Sequence, residues 1–448
     1  MDIKLTPGRA TASAITAITS KSYVHRLLIA AALYGGKSIR SNIISNDMLA
    51  TVDALRSLGA GIDICEEKAG SYLIKVFEPL HSDNDRLCTV DCGESGSTAR
   101  FIIPVAPLFC KEAVITGSGR LPERPMGPLC DVLRTSGVTA DSDNLPIKLS
   151  KMPVAGDYSI PGNVSSQFIS GLLFMLPLLE GRSKLTVTGN FESRAYVDMT
   201  VDVLKGFGAD IEFRDSAFYV NHNDPAAFSA RYDNTDEIRA EGDWSNAAYL
   251  MAIASLGSGV LFDSFTICGL DPDSIQGDSA ITGILTEFGI EVNITNDECA
   301  IKGRPQSPVD VDCSQIPDLV PALAVLAAYA DGDSVFRNVE RLRIKECDRI
   351  EAVSDMLSAV GVEVNITKTD DSEDMTVCGK GKCGVARNGA APVTVRSYND
   401  HRIAMAAAAL VFGEGCPVVI EDAKAVDKSF PGFYEVIGKM GINSEAVR

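Results

Sequence analysis

Six times along the chain, a leucine or isoleucine is followed four residues later by a glycine that closes an amphipathic stretch and opens a β-rich one. In VDVLKGFGADIEF (201–213), Leu204 and Phe207 lie three apart on one helical face and Gly208 can take the left-handed conformation of a helix C-terminus. Ala209 and Ile211 then alternate with polar residues, as in a half-buried strand. The same pattern recurs at Gly59, Gly137, Gly289, Gly361 and Gly441, preceded by Leu55, Leu133, Leu285, Leu357 and Ile437. Successive glycines are 78, 71, 81, 72 and 80 residues apart, so the chain consists of six copies of a unit of about 75 residues.

A second feature alternates with the first. Helical runs rich in alanine and leucine begin near residues 27, 101, 168, 247, 321 and 403, and each leads through a glycine or lysine turn into a strand. Helices that are apolar nearly all round belong in a core. At 448 residues and 46% hydrophobic the chain is too long for one core, so three units to a domain, with helices inside and sheets outside, is the expected α/β architecture.

Charge and composition exclude several classes of function. A net charge of −19 leaves no broad basic face for nucleic acid or an anionic membrane, so neither is an expected partner. No apolar run approaches the length of a membrane span, and Asp2 and Lys4 precede no sustained apolar core of a signal peptide. The 12 cysteines are scattered; the closest pairs, Cys88/Cys92 and Cys378/Cys383, lack metal-binding spacing, and the four histidines are far apart. Reduced thiols in a cytoplasmic protein, with no metal and no cofactor, are expected.

The loops before the helices carry the functional signal. Hydroxyls and carboxylates there serve as N-caps whatever the function. Cations do not: Lys21, Arg26, Arg100, Arg124, Lys345, Arg349, Arg402 and Lys428 fall at or just inside helix starts, where the macrodipole disfavours them. Free amides with adjacent lysine and arginine make a phosphate and carboxylate site. A small polyanionic ligand, bound where helix N-termini converge, is therefore expected. GESGSTAR (93–100) lets the backbone at Gly96 approach such a ligand with no Cβ in the way, and YNDHR (398–402) sets Asp400 and His401 beside Arg402 as either a proton-handling pair or a capping aspartate with a surface histidine.

With these motifs collected, the chain resembles the 5-enolpyruvylshikimate-3-phosphate synthase family over essentially its full length. The resemblance is carried by SKSYVHR (20–26), GESGSTAR (93–100), ERPMG (123–127), SSQF (165–168), IPD (316–318), RIKECDR (343–349), YNDHRIAMA (398–406) and KSFPGF (428–433). It implies two similar inside-out α/β domains, each of three βαβαββ units, one spanning 21–239 and the other 1–20 plus 240–448, with the active site in the interdomain cleft and closure on binding. It also implies a cytoplasmic enzyme of chorismate and aromatic amino acid biosynthesis, acting as a monomer. The reaction would transfer the enolpyruvyl group of phosphoenolpyruvate to the 5-hydroxyl of shikimate 3-phosphate, releasing phosphate.

Carried over position by position, Lys21, Ser22, Arg26, Ser165, Ser166, Gln167, Ser193 and Tyr196 would hold shikimate 3-phosphate, with Asp318 and Lys345 at its ring hydroxyls. Lys21, Gly96, Arg124, Gln167, Arg349, Arg402 and Lys428 would surround phosphoenolpyruvate. Asp318 is the candidate base, Glu346 the candidate acid, and Lys21 can share either role. Two departures stand out: the first motif reads AITSKS where many members have LPGSKS, and Phe101 follows Arg100 where proline is frequent. Two rivals remain, the sister enolpyruvyl transferase acting on UDP-N-acetylglucosamine and a non-catalytic repeat protein. The first carries a reactive cysteine in the loop matching GSGRLPERP (117–125), which has none here, and the second has no need of cations at helix starts.

Overall fold

The computed structural model describes residues 1–222, 231–232, 235–369, 372–381 and 391–447; Cys383 lies outside them. Twelve α-helices are formed by the described residues, and they alternate in character along the chain. The first of each pair is buried: α1 (Lys21–Tyr34), α3 (Gly96–Val105), α5 (Ser166–Met175), α7 (Trp244–Gly257), α9 (Val320–Ala327) and α11 (His401–Glu414). The second is amphipathic: α2 (Asn46–Leu58), α4 (Gly127–Thr135), α6 (Arg194–Gly206), α8 (Ile281–Glu287), α10 (Arg349–Ser358) and α12 (Phe433–Lys439). Every residue of α7 is buried, as its predominantly apolar sequence requires, Ser245, Asn246 and Ser255 among them.

All six repeat glycines have positive φ, from 74° at Gly361 to 109° at Gly59. Their amides bond three residues back in each case, for example Gly59 N to Arg56 O at 2.9 Å and Gly361 N to Ser358 O at 2.9 Å. In the first five repeats the next amide reaches the leucine carbonyl: Ala60 to Leu55, Val138 to Leu133, Ala209 to Leu204, Ile290 to Leu285 and Val362 to Leu357, at 2.9 to 3.1 Å. That pair of bonds is the Schellman motif, in which the apolar residue after the glycine packs back on the helix's last turn. The leucine-to-glycine spacing is thus a helix stop followed at once by a buried residue that leads into a strand.

The chain divides into two compact units, Thr19–Ala240 and Met1–Ile18 with Glu241–Arg448. In the first, α3 packs on α5 and α1 packs on α2 and α6; in the second, α7, α9 and α11 pack on one another. The described strands make six four-stranded sheets, each with one parallel edge pair and otherwise antiparallel neighbours. Strand Glu237–Arg239 closes the sheet of the first repeat by running parallel to Ser38–Ser41. The chain's first residues enter the other unit's sheets: Ile3–Pro7 lies between Val418–Glu421 and Ile442–Ala446, and Ala14–Thr16 pairs with Ser264–Cys268. No helix among the described residues is long and apolar enough to cross a membrane.

Two expectations are corrected. Each buried helix starts earlier than its apolar run: α1 begins at Lys21, because the Ser20 hydroxyl accepts from Tyr23 N and caps it there. Ser22, Arg26 and Arg100 are accordingly helix residues and not loop residues. Cys88 and Cys110 form a disulfide although reduced thiols were expected; their separation of 22 residues carries no motif, and only the parallel pairing of Asp83–Asp91 with Cys110–Thr116 brings them together. The other nine described cysteines are free.

The glycine stops make a graded stability test. A Cβ at Gly361 would meet nothing within 4 Å, so Gly361→Ala bears only the left-handed backbone cost of roughly 1 to 2 kcal/mol. At Gly441 a Cβ would run into Leu261 Cδ1 and come within 3.0 Å of Ala10 N, so Gly441→Ala is expected to lose roughly 2 to 5 kcal/mol. Urea midpoints of the two variants check this; equal losses would mean that backbone conformation alone sets the cost.

Candidate active site

In the unit Thr19–Ala240 the candidate residues gather at the starts of α1, α3, α5 and α6. Lys21 is the first residue of α1 and donates to Asp47 Oδ2 at 2.6 Å, with both side chains 13% exposed. Asp47 stands in the first turn of α2, where the dipole favours it, so it compensates a lysine that its own helix disfavours. Arg26 is buried one turn further on, its guanidinium donating to Thr200 Oγ1 (2.8 Å), Ser22 O (2.7 Å) and Tyr196 O (2.8 Å) and lying 5.1 Å from the Phe101 ring centroid. These three acceptors are uncharged, and burial brings Arg26 down to about 10, which leaves it charged at neutral pH. Ser193 precedes α6 with φ of 50°, and its carbonyl accepts from Tyr196 N at 3.2 Å.

Gly96 opens α3 behind the capping Ser95. A Cβ there would stand 2.7 Å from Arg124 Nη1 and 3.2 Å from Arg100 Nη1, so two guanidinium groups lie directly over this glycine. Both arginines are buried. Arg100 Nη1 donates to Gln167 Oε1 at 2.6 Å, and Gln167 Nε2 donates to Ser97 Oγ at 2.8 Å, which ties the start of α5 to that of α3. Ser165 caps α5 by accepting from Gln167 N, and Ser166 beside it is buried. Gly96, Arg100, Arg124 and Gln167 therefore form one group, in which Arg100 also lies 5.4 Å from the Phe168 centroid.

In the unit containing Glu241–Arg448, four segments meet around Arg349, which is 1% exposed at the first position of α10. Its Nη1 donates to Asp318 Oδ1 at 2.8 Å, its Nη2 to Glu346 Oε2 at 2.7 Å and its Nε to Asp400 Oδ2 at 2.8 Å. Arg402 Nη2 donates to Asp318 Oδ2 at 2.9 Å, and Lys345 Nζ stands 3.6 Å from Asp318 Oδ1. Burial by itself pushes the Asp318 carboxyl up, but Arg402, Lys345 and Arg349 outweigh it and hold the group well below the usual carboxylate range. Burial lowers the Lys345 amine to about 8, against the pull of Asp318. Lys428 Nζ donates to Asn399 O at 2.6 Å, next to Asp400.

Of the cations expected at helix starts, Lys21, Arg349 and Arg402 stand in a first turn and Arg26 and Arg100 about one turn in. Arg124 and Lys345 instead precede α4 and α10, and Lys428 ends the 3-10 turn Ala423–Lys428. In this group Lys345, Arg349 and Arg402 face Asp318, Glu346 and Asp400 of the same chain. An external anion is thus not the only compensation, because loops far apart in sequence supply an internal one. Of the two readings of Asp400, capping holds: it caps α11 by accepting from Arg402 N at 2.8 Å, and it also fixes Arg349. His401 is buried, not a surface residue. Asp47 was not singled out by sequence reasoning; an aspartate after an asparagine at a helix start reads as ordinary capping, and its contact with Lys21 spans 26 residues.

The family model for EPSP synthase (3-phosphoshikimate 1-carboxyvinyltransferase) matches residues 5–437. A 3-phosphoshikimate 1-carboxyvinyltransferase of Clostridium novyi is 39% identical over 431 residues, covering 94% of this chain and 93% of its own. One from Methanocaldococcus jannaschii is 34% identical over 440 residues, covering 96% of each. Among solved structures, an EPSP synthase from Acinetobacter baumannii matches with a TM-score of 0.75 over 100% of both chains at 22% identity. The enolpyruvyl transferase NikO from Streptomyces tendae matches with a TM-score of 0.73 over 100% of this chain and 99% of its own at 18% identity. At such identities the structural likeness is one of fold.

The Asp318 network predicts a pH signature. Its folded pKa lies below its unfolded value, so its stabilisation is complete above the unfolded value, near 4, and drains away as pH falls through the folded one. Asp318→Asn leaves Arg349 and Arg402 short of a carboxylate and is expected to cost roughly 3 to 5 kcal/mol at pH 7. The difference from wild type should shrink below about pH 4. Urea denaturation across pH 3 to 7 measures it; a pH-independent difference would show that the ion pairs contribute nothing.

Proposed function

The chain belongs to the EPSP synthase family, and on that premise we infer that it transfers the enolpyruvyl group of phosphoenolpyruvate to the 5-hydroxyl of shikimate 3-phosphate, releasing phosphate, on the shikimate route to chorismate and the aromatic amino acids. The observation that carries this function is the family match from residue 5 to 437. The match is to the shikimate branch, which sets aside the UDP-N-acetylglucosamine enzyme; relatives named as catalysts along the whole length set aside a non-catalytic repeat protein. We take it to act as a cytoplasmic monomer.

We assign the described residues to the two substrates as follows. Lys21, Ser22, Arg26, Ser165, Ser166, Gln167, Ser193 and Tyr196 serve shikimate 3-phosphate, with Asp318 and Lys345 at its hydroxyls. Lys21, Gly96, Arg124, Gln167, Arg349, Arg402 and Lys428 serve phosphoenolpyruvate. Supporting this is the chemistry of the donors: guanidinium groups, an ammonium, helix-start amides and hydroxyls are what phosphate and carboxylate groups require.

The reaction needs two proton movements and their reversal. The 5-hydroxyl oxygen attacks C2 of phosphoenolpyruvate while its proton passes to a base, Asp318, and an acid, Glu346, gives a proton to C3, which becomes a methyl group. The tetrahedral intermediate then loses phosphate as the methyl group returns a proton, restoring the enol double bond. Asp318 is ionised at neutral pH because three cations hold it so, which is the first requirement of a base. Lys21 can share either proton transfer. Orientation and fixed cations around the developing charge contribute most of the acceleration.

The direct test is release of inorganic phosphate on mixing the purified chain with both substrates, against each alone; release with neither combination above background would overturn the assignment. Gly96→Ala would push a methyl against Arg124 Nη1, 2.7 Å away. It is expected to raise KM for phosphoenolpyruvate roughly 10-fold or more, with that of shikimate 3-phosphate nearly unchanged. An unchanged KM for phosphoenolpyruvate would remove the α3 turn from its site.

A further inference from the structure

The six repeats share one buried helix position, four residues before the leucine or isoleucine of each glycine stop. It holds Leu129, Ile281, Val353 and Phe433 in four of them, all 0% exposed. In the other two it holds threonine, Thr51 on α2 and Thr200 on α6, also 0% exposed. Apolar packing is evidently sufficient at this position, so the two hydroxyls need another reason.

Each is the hub of a buried polar contact between helix starts. Thr51 Oγ1 stands 2.6 Å from Nδ1 of His25, the fifth residue of α1, and 2.7 Å from Thr98 Oγ1 in the first turn of α3. Thr98 Oγ1 in turn donates to Oγ of Ser95, the cap of α3 next to Gly96, at 2.8 Å. Thr200 Oγ1 donates to Oγ of Ser170, the fifth residue of α5, at 2.8 Å and accepts from Arg26 Nε on α1 at 2.8 Å. The equivalence extends to the backbone: Thr51 Oγ1 is 3.4 Å from Asp47 O and Thr200 Oγ1 is 3.2 Å from Tyr196 O. Asp47 holds Lys21, and the Tyr196 carbonyl accepts from Arg26.

The donor order in the first chain follows from proton counting. Thr98 has one hydroxyl proton and spends it on Ser95, so it accepts from Thr51. Thr51 then accepts from His25, whose proton must sit on Nδ1. His25 Nε2 is buried with no hydrogen-bond partner, as a bare lone pair in this tautomer would be. Burial first, and then the charges of Lys21 and Arg26, hold its pKa well below the ordinary value, so the ring is neutral. Deleting the hub would leave His25 Nδ1 and Thr98 Oγ1 without their partner in a site closed to water.

We propose that Thr51 and Thr200 are positioning residues for different substrates: Thr51 sets the α3 turn at Gly96 for phosphoenolpyruvate, and Thr200 sets Arg26 and Tyr196 for shikimate 3-phosphate. The division rests on the substrate assignments above. Neither hydroxyl touches a substrate; each fixes the groups that do.

The test is a double dissociation in steady-state kinetics, with Thr51→Val, Thr200→Val and the rescuing Thr51→Ser and Thr200→Ser. Thr51→Val is expected to raise KM for phosphoenolpyruvate roughly 10-fold and leave that for shikimate 3-phosphate within about twofold, and Thr200→Val to do the reverse, as displacements of well under an ångström to about one would produce. The serine variants should restore both constants. The proposal is overturned if either valine variant moves both constants together, if a variant loses only urea stability while both constants hold, or if serine fails to rescue. A wild-type chain that releases no phosphate from the two substrates removes the function itself and the division with it; an active wild type with unsplit variants removes the division alone.

Discussion

A buried cation at the start of a helix is disfavoured twice, by loss of water and by the positive end of the helix dipole. Much of the candidate site is organised around meeting those two costs. Around Arg349 they are offset by carboxylates: Asp318, Glu346 and Asp400 reach it from three different loops, and Asp400 also caps α11. Around Arg26 they are offset by neutral groups, namely two carbonyls, a hydroxyl and an aromatic face. The two solutions are not equivalent. A carboxylate neutralises its cation outright, whereas neutral acceptors satisfy the donors and leave the charge for something else to meet.

The repeat makes this possible at low cost in sequence. One helix stop, used six times, fixes where each strand begins and therefore where each following loop delivers its residues to a helix start. Four of the buried equivalent positions are apolar and contribute only packing, while Thr51 and Thr200 add hydroxyl bridges at the same place. The scaffold and the site are thus separable. Exchanging residues at helix starts changes chemistry without disturbing the glycine stops half a unit away.

What could be seen in the sequence was what is local. The left-handed glycines, the leucines that anchor them and the all-apolar helices are written in patterns of three to five residues, and they stand where expected. Helix starts were less legible, because apolar periodicity begins at Leu27 while the cap that decides the matter is Ser20. Least legible were pairings across long separations. Asp318 with Arg349 spans 31 residues, Arg349 with Asp400 spans 51, and Arg26 with Thr200 spans 174. Each looks in isolation like a cap or a surface charge, and the Cys88–Cys110 bond was hidden for the same reason.

Asp318 shows how such a network bears on chemistry. A base must be ionised, and three cations secure that; the same cations depress its affinity for the proton it has to receive. The two requirements conflict as long as Arg349 and Arg402 spend their donors on this one carboxylate. An anionic substrate that draws those guanidinium groups toward itself relieves the conflict, since every donor transferred from Asp318 to a phosphate or carboxylate raises the proton affinity of Asp318 while the substrate is in place. On the proposed assignment, the internal ion pairs are therefore more than compensation for burial. They keep the base charged but weak in the empty site and tie its strengthening to the arrival of the molecule it is to act upon.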